Sequence, residues 1–187
     1  MPARPNKFRL EAADAVLLIV DVQERLSAVM RERDEVVENI VHLIETAKCL
    51  GVPVLLTEQH SKGLGPTVTT IKAALPQYAP IEKITFSCCA AEDFQKSLHA
   101  LGRKTVIMCG MEAHVCVLQT CVDLLEDGCA VHVAEDCVTS RTGGNKAGGI
   151  EYMRQAGAVV TSCETAMFQL MKRADIGAFK ALSKRIK

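Results

Sequence analysis

Apolar runs too short to cross a membrane and too uniform to have a wet face leave this chain few folds. AVLLIV (15–20), PVLLT (53–57), TVIMC (105–109), AVHVA (130–134) and AVVTS (158–162) are rich in β-branched and aliphatic residues, and a weaker sixth run, PIEKITF, lies at 80–86. A half-exposed strand alternates polar with apolar residues. These runs do not, so they predict strands covered on both faces. Between them lie stretches with helical spacing. Val36, Val37, Ile40, Val41, Leu43, Ile44, Ala47 and Leu50 make one apolar face, with Asp34 as the expected cap and GVP as the stop. Further helices are predicted over 91–101, 114–127, 145–155 and 164–171. Strands and helices taking turns build a parallel sheet with a layer of helices on each side, an α/β fold.

No repeat, low-complexity tract or linker divides the 187 residues. One domain is expected over 1–187, with a core from about 15 to 171 and a helical tail over 172–187. In sheets of this kind ligands bind beyond the carboxyl ends of the strands, where the strand order reverses. For six strands in the order 3-2-1-4-5-6, that point lies between the first and the fourth. The first runs into Asp21 and the fourth into GMEAHVC (110–116), so these two loops are expected to face each other.

Charge and cysteine usage narrow the partners. Twenty-two basic residues balance twenty-two acidic ones, which gives no reason to expect a nucleic acid or an anionic membrane surface. The start MPARPNKFRLEAAD lacks the charged-then-apolar order of a secretory signal, and nine cysteines, an odd number, read as free thiols. A cytoplasmic protein is expected. No cysteine pair has C-x-x-C spacing, so no metal is expected. TGGNKAGG (142–149) has glycines and a lysine but not the order of a phosphate-binding loop, and no G-x-G-x-x-G follows the first strand. No cofactor is expected.

Three residues stand out. A cysteine in an α/β protein is by default a small buried apolar residue. Cys116, however, falls in the first turn of an expected helix, where free N–H groups and the helix dipole favour a thiolate and predict a pKa below the free value of about 8.5. Asp21 is the one carboxylate that ends a doubly covered strand and faces the expected crevice; capping a short helix would suit it equally. Lys83 is by default solvated. Its element should flank the second strand, from which a long side chain can reach and stabilise both a carboxylate and a thiolate. His114 lies two residues from Cys116 on the same helix, so the two side chains diverge, and capping or packing is its expected role. Gln23, His60 and Phe86 are candidates for lining the substrate cleft, although a surface loop is the simpler account of His60.

In their order, LLIVDVQ, EK-x-x-FS, GMEAHVCV, AEDCVTSR and GAVVTSCE resemble the motifs of the isochorismatase-like cysteine hydrolases, from Leu17 to Glu164. The resemblance implies a three-layer α/β/α sandwich around a six-stranded parallel sheet, and a catalytic triad of Asp21, Lys83 and Cys116. It also implies a cis peptide at Met111–Glu112, which would aim the backbone N–H groups of Glu112 and Cys116 at one point as an oxyanion hole while the Glu112 side chain lines the cleft. A small-molecule substrate and a homo-oligomer follow from the same likeness. In the nicotinamidase branch an aspartate and histidines after the second strand hold a metal. Here TEQHSKGLGPT (57–67) offers one glutamate and one histidine, too few for that site. Keeping Cys116 favours hydrolysis of a small amide or related C–N acyl bond through a thioester. Two alternatives stand beside it: enol-ether hydrolysis of isochorismatase type, which needs no cysteine, and a binding or scaffold protein that turns nothing over.

Overall fold

One parallel sheet organises residues 6–186, those that the computed structural model describes; residues 1–5 and Lys187, the ends of the expected 1–187 domain, lie outside the described residues. Its strands are β1 (Ala15–Val20), β2 (Val54–Gln59), β3 (Ile81–Lys83), β4 (Thr105–Met111), β5 (Ala130–Thr139) and β6 (Val159–Thr161), in the order β3-β2-β1-β4-β5-β6. The helices are α1 (Glu24–Ser27), α2 (Arg33–Leu50), α3 (Ser61–Leu64), α4 (Thr69–Ala74), α5 (Glu92–Leu101), α6 (Leu118–Glu126), α7 (Gly143–Ala156), α8 (Cys163–Met171) and α9 (Phe179–Leu182). From the central β1 and β4 the chain moves outward in opposite directions. The crossovers then put α2 on one face and α6 and α7 on the other.

β1 shows why its run has no polar alternation. Ala15, Leu17 and Ile19 join the layer that holds Ile40 and Ile44 of α2 and Met167 of α8, while Val16, Leu18 and Val20 join Phe94 of α5, Leu124 of α6 and Met153 of α7. Each fully buried Leu or Ile contributes about 1.5–3 kcal/mol, so a polar residue in either register would unseat a layer. The tail adds Ile176, Phe179 and Leu182 to the α2 layer, but its helix is only the single turn α9.

Local departures from the sequence expectation have physical causes. Asp34 is not the cap of α2: Glu32 takes that position at φ 53°, and Asp34 pairs with Arg33 in the exposed first turn. β5 runs on to Thr139, past the polar Glu135 and Asp136 that end its apolar run; a register shift against β4 absorbs the irregularity, and pairing resumes at Gly110↔Val138. β3 keeps only three residues of the 80–86 run. The expected helix over 114–127 is two pieces, a π-helical turn over Ala113–Val117 and then α6.

Candidate active site

The chain leaves β1 through Asp21 at φ 53°, a left-handed conformation that aspartate tolerates better than most residues. Asp21 is fully buried. Its Oδ1 accepts the hydroxyl of Thr57 at 2.7 Å, and its Oδ2 accepts Lys83 Nζ at 2.6 Å. Lys83 arrives at the end of β3, two strands away, and neither charged side chain reaches solvent. The ammonium also donates to Gln59 Oε1 at 2.8 Å and to the carbonyls of Thr85 and Phe86, each at 3.1 Å. Three protons shared among four acceptors leave no donor free.

The third group comes from β4. Gly110, at φ 125°, lies so close to β1 that a Cβ would collide with the Val20 backbone, and no other residue would let the strands meet there. The Met111–Glu112 peptide that follows is cis. The Glu112 carbonyl then accepts the N–H of Val115 at 3.0 Å and of Val117 at 3.3 Å, the second bond closing the π turn, and passes over the N–H of Cys116 between them. Among the described residues the N–H of Glu112 has no acceptor. Turns of this kind recur at functional sites. From behind, α7 presses on the turn at Gly149, where a Cβ would lie 2.9 Å from the Ala113 carbonyl and the His114 backbone.

Cys116 is buried, and its thiol is pushed up to about 12, first by that burial and then by the nearby charge of Asp21; Lys83 opposes the shift, and the acceptor that the thiol meets is Gln59 Oε1 at 3.9 Å. The expectation of a depressed thiol pKa is therefore corrected. Cys116 lies inside a buried turn rather than at an open helix start, and desolvation outweighs the dipole. At rest the sulfur keeps its proton.

A family model, the isochorismatase domain, matches residues 15–165. The chain belongs to the isochorismatase family. A Phytophthora sojae relative described as the secreted isochorismatase effector Isc1 is 40% identical over 96% of this chain and 87% of its own length. Homo sapiens isochorismatase domain-containing protein 2 is 34% identical over 99% of this chain and 89% of its own. Among solved structures, the Caenorhabditis elegans MAR1 ribonuclease superposes with a TM-score of 0.89 at 37% identity, covering 95% of this chain and 92% of that one. The Escherichia coli YcaC gene product, described as an octameric hydrolase of unknown specificity, gives 0.90 at 28% identity over 98% and 92%. The fold is that of an isochorismatase-family hydrolase.

Around this family framework the other candidates fall differently. Gln23 does not line a cleft: it is fully buried, donating to the carbonyls of Gln59 (3.1 Å) and Gly65 (2.7 Å) and accepting the Gln59 N–H (2.7 Å), so it ties the 59–65 segment to the end of β1. His60 is exposed, its ring against Gly63, and among the described residues no hydrogen bond joins it to Asp21, Lys83 or Cys116. Phe86 has an exposed ring, and its carbonyl serves Lys83. His114 meets Ser140 at 3.0 Å and not Cys116. The Glu112 carboxylate is engaged by the backbone and side chain of Arg141, both at 3.1 Å. Among the described residues no group of three or more His, Cys, Asp or Glu is arranged to hold a metal ion, and Glu58 of the TEQ segment is occupied by Thr67 and Tyr78. Gln59 is the residue that sequence reasoning missed. It sits opposite Lys83 in the β2–β3 register, and its Oε1 lies 2.8 Å from Lys83 Nζ and 3.9 Å from Cys116 Sγ. TEQ contained it, but only the register brings it to the site.

Proposed function

We propose that this chain hydrolyses a small amide or related C–N acyl bond through a thioester on Cys116. The observation that carries the reading is the position of Asp21, held by Lys83 at 2.6 Å and Thr57 at 2.7 Å and near enough to the buried thiol for its charge to push the thiol pKa up. A thiol kept protonated at rest must lose its proton as it attacks. Asp21 accepts that proton while Sγ bonds to the carbonyl carbon, and delivers it to the departing nitrogen as the C–N bond breaks. The N–H groups of Glu112 and Cys116 stabilise the oxyanion between these events; losing one such donor typically costs ~10²–10³ in turnover. Water then attacks the thioester, giving one proton to Asp21, which returns it to the leaving sulfur. Lys83 stays fixed and keeps the Asp21 side chain in one orientation.

An oxygen-bound leaving group, as in an enol ether, would need no sulfur at this spot, and a scaffold would need no aligned base. The ribonuclease named for the Caenorhabditis elegans neighbour fits less well, because phosphodiesters are gripped by free cations and Lys83 has no free donor. We further propose self-association. Ile84 and Phe86 present exposed apolar side chains next to Lys83, and the Escherichia coli neighbour is described as an octamer. A monomer mass in sedimentation equilibrium would end that part of the proposal. The odd cysteine count favours a reducing compartment such as the cytoplasm. For the reaction itself, a panel of small amides, isochorismate and RNA is offered to the protein, with rapid acid quench and intact-mass analysis. An acyl adduct on Cys116 from an amide is the expected result; full hydrolysis by Cys116→Ser or Asp21→Asn would refute the mechanism.

A further inference from the structure

We infer that Gln59 is a specificity-determining residue that selects substrates whose leaving atom carries an N–H. The inference rests on Cys116 being the nucleophile. The orientation of the Gln59 amide is fixed by its neighbours: Nε2 faces the Ile84 carbonyl at 2.8 Å, which can only accept, and Oε1 faces Lys83 Nζ at 2.8 Å, which can only donate. The end turned toward Cys116, 3.9 Å from Sγ, is therefore an acceptor and cannot flip to become a donor. One lone pair of Oε1 serves Lys83. The other is directed into the space beside the sulfur, where among the described residues it meets only the weak S–H donor.

Once the thiol proton has moved to Asp21, that lone pair has no partner. An amide, urea or other N–H-bearing leaving group supplies one. An ester or enol-ether oxygen sets lone pair against lone pair in a half-buried site, where an unmatched acceptor is costly. Gln59 thus makes the site selective for nitrogen over oxygen next to the scissile carbonyl, independently of what the rest of the substrate looks like.

Two alkylating probes test this without a known substrate. 2-Chloroacetamide and methyl chloroacetate react with a thiol in the same way: the S–C bond forms, the C–Cl bond breaks, chloride leaves and the thiol proton passes to a base. They differ in carrying an NH₂ or a methoxy group next to the carbonyl. Rates at Cys116 are followed by peptide mass mapping in the full chain, and the amide-to-ester ratio is divided by the same ratio for free glutathione. The wild-type value is expected at about 3- to 10-fold, the worth of one neutral hydrogen bond. Gln59→Met should bring it to about 1, and Gln59→Glu, which keeps the acceptor, should hold or raise it. Both variants lose the donor to Ile84, so any general loosening of that segment is common to them, and Lys83 retains Asp21, Thr85 and Phe86 as acceptors in either. A wild-type ratio equal to that of glutathione, or a ratio unchanged in Gln59→Met, overturns the inference while leaving the nucleophile standing. Labelling that maps to other cysteines and never to Cys116 overturns the nucleophile, and the inference with it.

Discussion

Replacing Lys83 with methionine fills the same space but strands a carboxylate. Of the four acceptors that the ammonium serves, Thr85 and Phe86 are exposed and can turn to water, and Gln59 is half-buried. Asp21 alone is sealed, with the Thr57 hydroxyl as its remaining side-chain donor among the described residues. The cost therefore concentrates on one group, and removing one member of a buried ion pair typically costs about 3–5 kcal/mol. Against a total stability of roughly 5–15 kcal/mol that is a large share. With a urea m-value of about 2 kcal/mol/M, the unfolding midpoint should fall by roughly 2 M. Adding Asp21→Asn removes the stranded charge and should restore about half of the loss, although each single substitution is damaging, so the double-mutant cycle should report a coupling of about 3 kcal/mol. Equilibrium unfolding in urea, followed by circular dichroism for the four proteins, measures all of these. If Lys83→Met shifts the midpoint by less than about 0.5 M, or the double variant is no better than the single, the pair is not the sealed unit described.

Other consequences are open to simple measurement. Because proton transfer from Cys116 to Asp21 is internal, alkylation of Cys116 should be nearly flat from about pH 6 to 8 in the wild type, whereas in Asp21→Asn burial still keeps the thiol protonated and the rate should climb about tenfold per pH unit; a flat profile in the variant would remove Asp21 as the base. Burial lowers the pKa of His132 from 6.5, so the unfolded chain takes up protons first as the pH falls, and stability present above about pH 6.5 is lost below it, by at most about 1.4 kcal/mol per pH unit for this group. His132→Gln should make the fall in urea midpoint between pH 7 and 5 shallower, and an unchanged slope would contradict this. Gly149→Val should cost about 1–3 kcal/mol and slow labelling of Cys116, because the new side chain meets the backbone of the π turn; Gly148→Ala, with open space around it, should stabilise by about 0.5–1 kcal/mol. Equal effects at the two positions in thermal unfolding would rule out the close approach of α7.

What could be read from the residues was the covering of the strands and the three candidate groups at their ends, because an apolar run that stops at Asp21 or before GMEAHVC is a local signal. Properties set by neighbours brought from elsewhere were not legible. Gln59 meets Lys83 only through the parallel register of β2 and β3. Gln23 has the composition of a cleft residue and becomes a tie because three backbone partners converge on it. AHVCV has ordinary helical spacing, and the π turn that it forms follows the close approach of β4 to β1 at Gly110. The direction of the Cys116 shift depends on burial, which spacing does not encode.

The sheet order has a consequence for how the chain is made. Everything needed to join Asp21 to Lys83 has been synthesised by residue 83, while the sulfur follows a strand that must slot in on the other side of β1. Until β4 arrives, the most apolar strand of the protein presents a bare edge, the kind that recruits wrong partners. The segment that first assembles the acid and its cation is thus the one least able to persist in water unaccompanied.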